Sequence, residues 1–182
     1  MLAPRQDTQS DLASGRLSDD RKIMLFELDV RGHHPGYIQH LVTYWCQQEL
    51  PGHLDVLVSP KFIDQHSNIV DIASDCHQKN INFVAISKEE EAVLVDGALL
   101  GDSFKGRIQR AFQEWNLLSK YAVSLGTTHC LIMYLDTVLL RLGLGAKLPC
   151  PFSSIYFRPI FHYSNFPKLC HGWERARLAL AR

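Results

Sequence analysis

The stretch Ile23-Met24-Leu25-Phe26-Glu27-Leu28-Asp29-Val30, followed by Arg31-Gly32-His33-His34-Pro35-Gly36-Tyr37, decides how this chain is read. The run from Ile23 to Val30 predicts a buried strand. The glycine-bracketed turn behind it, with a helical pattern from Gly36 onward, predicts the opening unit of an α/β domain. Gly32 and Gly36 let a backbone approach a ligand closely, and the unpaired N–H groups at the start of the helix favour polar or anionic atoms. His33 and His34 add two imidazoles that hydrogen-bond or titrate near neutral pH.

Working outward, apolar runs alternate with helical patterns. A helix over 36–50 carries Tyr37, Leu41, Tyr44 and Trp45 on one face and closes at Pro51-Gly52. A strand over 54–59, a helix over about 65–79 and a strand over 81–86 follow. Lys88 to Glu91 reads as a solvated charged turn. Phe104, Ile108, Phe112, Trp115, Leu118, Ala122 and Leu125 recur at three- and four-residue steps, which predicts a helix over 104–125 with that stripe in the core. Gly126 ends it.

A strand over 129–135, a short helix after Asp136, and a strand over 153–157 stopped by Pro159 complete the series. The last residues, with Trp173 and Leu178, predict a short helix. The alternation predicts the α/β class: a Rossmann-like, doubly wound, mostly parallel sheet with helices on both faces. It also predicts a single folded domain over 21–165, behind a polar, disordered leader over 1–20 and ahead of a helical tail over 166–182.

Composition removes several function classes. Among 182 residues, Lys plus Arg and Asp plus Glu are 19 each, so the net charge is zero and the electrostatic excess of a nucleic-acid binder is missing. Five cysteines without a CxxC pair predict reduced thiols in a cytoplasmic protein and no disulfide framework. Cys150, Cys170 and His171 match no standard zinc spacing, so no metal is expected. The N-terminus lacks the apolar core of a signal peptide. Cys130 to Ala146 is apolar, yet Asp136 and Arg141 interrupt it and it is too short to span a bilayer, which leaves peripheral membrane contact open.

In a doubly wound sheet, ligands sit beyond the carboxyl ends of the strands near the switch point. His33 and His34 are the catalytic candidates there. Each is placed to act as a general base, to bind a sugar hydroxyl, or to cap the helix behind it. Gly32, Gly36 and Tyr37 share the turn as binding candidates. Asp136 lies at the same edge, as a helix N-cap, a ligand contact, or both. Arg158 and His162, in Tyr156-Phe157-Arg158-Pro159-Ile160-Phe161-His162-Tyr163, complete the set. An arginine there binds phosphate or carboxylate bidentately, or pairs with Asp29 or Glu27.

Other chemistries fail on sequence. There is no GxxxxGK[ST] loop and no GxSxG elbow. The glycine loop is G-x-x-x-G, and the second strand ends Val58-Ser59-Pro60 where a dinucleotide binder needs Asp or Glu. No cofactor is expected.

With these motifs in place, the chain resembles the N-terminal half of GT-B-type glycosyltransferases of the group-1, or family-4, class, bacterial and cyanobacterial-like. The resemblance rests on the first strand with Gly32 to Tyr37, on Tyr156 to Pro159 and on Phe161 to Tyr163, and covers about residues 22–175. It implies two Rossmann-like domains facing a cleft. The first binds the acceptor, which is a sugar, lipid or small molecule; the second binds a nucleotide-sugar donor. Members of the class are usually metal-independent, and most retain anomeric configuration. By this resemblance Gly32, His33, His34 and Gly36 line the acceptor side and approach the donor phosphates, with Asp136 and Arg158 on the cleft wall. The chain stops near Arg182, before a donor-binding half, so the expectation is a chain inactive alone. The competing expectation is a stand-alone Rossmann-like binding or interaction module without catalysis.

Overall fold

A parallel strand covered on both faces is largely apolar, and the computed structural model, which describes residues 20–99 and 104–155, is built on five parallel strands, the central ones covered and the last largely exposed. In chain order they are β1 (Lys22–Phe26), β2 (His53–Val58), β3 (Ile81–Ala85), β4 (His129–Ile132) and β5 (Phe152–Ser154). Every pairing is parallel, and the order across the sheet is β3-β2-β1-β4-β5. The architecture is thus the Rossmann-like α/β sheet expected, with the reversal of direction between β1 and β4.

Alternate residues of each strand feed two cores. Leu25, Val56 and Val58 face α1 (His34–Gln47), α2 (Pro60–Gln65) and α3 (Ser67–Asp75), packing on Ile38, Val42, Trp45, Phe62, Ile69 and Ala73. Met24, Phe26, Leu57, Cys130 and Ile132 face the other side. There α4 (Lys88–Leu99), α5 (Phe104–Ser124) and α6 (Leu135–Gly143) supply Leu94, Trp115, Leu118, Ala122 and Val138.

Several boundaries differ from the sequence expectation, each for a local reason. Helix α1 begins at His34, two residues early, because Pro35 at the first turn has no N–H to lose and its fixed φ suits a helix. Its buried face runs through Ile38, Val42 and Trp45, while Tyr44 is exposed. The helix expected over about 65–79 is α3, Ser67–Asp75, and a separate helix, α2, precedes it over Pro60–Gln65. Pro60 starts α2 as well as stopping β2, and His66 interrupts at φ −129°, ψ 40° while its Nε2 lies 3.1 Å from the Val30 carbonyl.

Lys88 to Glu91 is no solvated turn. Ser87 and Glu90 form a reciprocal cap, with the Glu90 N–H on Ser87 Oγ at 3.2 Å and the Ser87 N–H on Glu90 Oε2 at 2.8 Å. Glu90 also accepts from Lys120 Nζ at 2.6 Å and from the Tyr121 hydroxyl at 2.8 Å, which ties α4 to α5. Phe112 departs from the buried stripe: it is 37% exposed, with the Arg141 guanidinium 4.3 Å above its ring.

The fourth strand ends at Ile132 and the chain turns straight into α6, while β5 covers only Phe152–Ser154. The leader, Tyr156 to Tyr163 with Arg158 and His162, Cys170, and the tail with Trp173 and Leu178 lie outside the described residues. Among the described residues, no helix is long and apolar enough to cross a membrane.

Candidate functional site

Beyond the carboxyl ends of β1 and β4 the backbone diverges and leaves a small cleft open to solvent. Its lining comes from three parts of the chain: Phe26 to Asp29 and His34 behind β1, Arg110 and Glu114 of α5, and Tyr134 and Thr137 entering α6. The turn after β1 therefore sits on the rim where ligands bind in sheets of this order.

The turn holds its shape through its own carboxylates. Glu27, 6% exposed, accepts the Asp29 N–H at Oε1 over 2.9 Å. Asp29 in turn accepts the Arg31 N–H at 3.1 Å. Gly32 then takes φ +64°, a conformation that favours glycine, and the chain enters α1.

That entry brings His34 back over Glu27. His34 Nδ1 lies 2.9 Å from Glu27 Oε2, and the imidazole is 17% exposed. Burial lowers the His34 pKa, but the hydrogen bond and charge of Glu27, with the charge of Asp29, outweigh it and leave the value raised. A carboxylate this close to Nδ1 favours the protonated ring through its charge and places a base beside an acid.

Aromatic rings close the turn. The Tyr134 ring stacks on His34 with centroids 4.1 Å apart, and its hydroxyl meets His33 Nε2. His33 lies edge-on to Tyr37 at 5.3 Å. Burial raises the Tyr134 pKa, and the charges of Glu27, Tyr37, Asp29 and Asp136 add to it, so the phenol keeps its proton.

The opposite wall is an ion pair. Arg110 Nε sits 2.6 Å from Glu114 Oε1, one helical turn along α5, and Glu114 is 2% exposed. The Glu114 charge raises the Arg110 pKa against the lowering effect of burial, and Asp29 and Glu27 push the same way.

The structure thus gathers His33, His34, Gly32, Gly36 and Tyr37 on one rim. His34 belongs to a helix, not to the free turn expected for it. Asp136 is not the N-cap: it lies in the first turn of α6 behind Tyr134, and Tyr134 and Thr137 form the wall beside it. Sequence reasoning passed over Arg110, Glu114 and Tyr134, and named Glu27 only as a partner for Arg158. A signal existed for three of them: Glu27 is a charge inside an apolar strand, and Arg110 and Glu114 are opposite charges four apart beside an aromatic stripe.

Among the described residues, no group of three or more His, Cys, Asp or Glu side chains is arranged to hold a metal ion. No protein-family model and no curated protein matches the sequence. Among solved structures the chain is similar to CalG4, the calicheamicin glycosyltransferase, at 14% identity and a TM-score of 0.46. The match covers 82% of this chain and 36% of that one, so the chain spans little more than a third of that structure's length.

Proposed function

We propose that this chain is the acceptor-binding, Rossmann-like half of a glycosyltransferase. The acceptor hydroxyl enters the cleft between the β1–α1 turn and the start of α6, and a nucleotide-sugar donor is held by a second Rossmann-like body facing the same rim. The reading rests on one observation above the others: the histidine turn lies at the carboxyl-end switch point, with His34 held by a buried carboxylate. The sequence resemblance of Gly32 to Tyr37 points the same way.

In this reading His34 is the base and Glu27 its positioning residue. Neutral His34, with Nδ1 beside Glu27, takes the acceptor proton at Nε2 as the acceptor oxygen attacks the anomeric carbon from the face opposite the diphosphate, so this step inverts the configuration, unlike most members of the class that the sequence resembles. The bond from that carbon to the nucleoside diphosphate breaks, and the diphosphate leaves with the electron pair. Glu27 stabilises the imidazolium that forms. Gly36 fits a close approach, because a methyl group added there would meet nothing within 4 Å.

The test is nuclear magnetic resonance of the purified chain titrated with alkyl glycosides and free mono- and disaccharides, beside nucleotide sugars. Amide shifts confined to residues 27–37 and 134–137, produced by an acceptor-type sugar and lost in His34→Gln, are the expected result. Calorimetry showing tight nucleotide-sugar binding by this chain would overturn the assignment of the acceptor side. Unassisted turnover lost in His34→Ala would favour a self-sufficient α/β enzyme instead.

A further inference from the structure

We propose that Cys130 and Cys150 are a peroxide-responsive thiol pair whose disulfide staples the β4-side wall of the cleft. The inference stands apart from the sugar-transfer reading, since it rests on a different pair of side chains. Cys130 Sγ and Cys150 Sγ lie 3.4 Å apart, although 20 positions separate them in the chain. Their backbones are already side by side: the Cys130 N–H donates to the Pro151 carbonyl at 2.9 Å, and Cys130 stands opposite Phe152 in the β4–β5 register. Closing the sulfurs to the roughly 2.05 Å of a disulfide is then within reach of side-chain rotation.

The two thiols differ in access. Cys130 is wholly buried on β4, whereas Cys150 is half-buried on the connection into β5. Burial, and next the neighbouring Cys150, push the Cys130 thiol well above its ordinary range, so the first attack belongs to Cys150. Its thiolate attacks one oxygen of hydrogen peroxide, the O–O bond breaks, and a sulfenic acid and hydroxide form, the hydroxide becoming one water with the proton that the Cys150 thiol released. The Cys130 sulfur then attacks the Cys150 sulfur, the S–O bond breaks, and its oxygen leaves as a second water with the Cys130 proton. Two thiols lose two hydrogens and one peroxide becomes two waters.

The loop so closed contains Tyr134, Thr137 and all of α6 (Leu135–Gly143). Oxidation therefore fixes the segment that stacks on His34 without touching the rim itself.

Exposure of the purified chain to hydrogen peroxide, then alkylation and peptide mass spectrometry, tests this directly, because trypsin cuts at Arg141 and Lys147 and separates the two thiols. The expected result is a dithiothreitol-reversible cross-link between the Cys130 and Cys150 peptides. A higher urea midpoint and slower amide exchange over residues 134–146 should accompany it. Cys150→Ser, at the half-buried position, should fold and lose all three effects; Cys150→Ala serves the same end if serine is not tolerated. Both thiols remaining alkylatable after peroxide would overturn the proposal, as would separate over-oxidation or a cross-link that bypasses the pair.

Discussion

Two histidine–carboxylate pairs occupy opposite ends of the same sheet, and they are not equivalent. At the carboxyl end, Glu27 meets His34 at 2.9 Å with the ring 17% exposed, and Arg110, Glu114 and Tyr134 wall the pair into a cleft. Toward the amino end, Asp55 of β2 meets His53 Nε2 at 3.4 Å with the ring 39% exposed. Asp55 also takes a hydrogen bond from Asn82 at 3.3 Å across the β2–β3 register. Both acids are buried beside covered strands, Asp55 within β2 and Glu27 one residue past the end of β1. The difference lies in the histidine. His34 is clamped by the first turn of a helix, while His53 opens a strand and keeps its water, so there it merely satisfies a buried acid.

The contrast breaks most readily on stability. Glu27→Ala strips the partner from a half-buried imidazole and strands the Asp29 N–H, so urea unfolding should show a loss of about 3 kcal/mol. Asp55→Ala returns two exposed partners to water and should cost about 1 kcal/mol. Equal losses would erase the distinction. At the amino end the larger sensitivity lies in backbone: Gly52 has φ +94°, and a methyl group there would stand 2.7 Å from the Arg21 carbonyl oxygen. Gly52→Ala should therefore cost about 2 kcal/mol by the same measurement.

The carboxyl-end pair should also carry a pH signature. His34 titrates above its free value of 6.5 in the folded state, so folding takes up a proton. The stabilisation is fully present below that free value and is lost as pH rises through the raised one. Urea midpoints should fall across that window in the parent chain and less so in His34→Gln; a parallel slope in both would remove the special status of this pair. Gly36→Ala should gain about 0.5–1 kcal/mol, since Gly36 lies in a helix with open space beside it, and should weaken sugar binding at the same time. A gain in both would place the ligand elsewhere. Smallest of all, Arg31→Ala removes an ion pair 85% exposed on the arginine side, and its effect on the urea midpoint should stay under about 0.5 kcal/mol.

Much of the fold was legible in the chain because double-sided burial leaves a plain mark. Ile23 to Phe26 and Cys130 to Ile132 are apolar runs, and Leu54 to Val58 is one broken only at Asp55, the pattern of parallel strands covered on both faces. Element edges were less legible where one residue serves two purposes. Pro60 both ends a strand and begins a helix, and Glu90 is read as solvated until Lys120 and Tyr121 arrive from α5. For the site, the His33–His34 turn was visible from glycine chemistry and its place after a strand. Its partners were not, since Arg110, Glu114 and Tyr134 reach it only through the packing of α5 and the return of β4 to β1. Arg158 and His162 lie outside the described residues.

The meeting of Tyr134 with His33 joins positions 101 apart, because β4 returns to the flank of β1 only after the chain has travelled out through β2 and β3. During synthesis the first three strands can pair while the pocket still has one side. The cleft is consequently among the last things this polypeptide closes, and a nascent chain halted before β4 would own both histidines, Glu27 and the α5 wall but not the Tyr134 ring that stacks on His34.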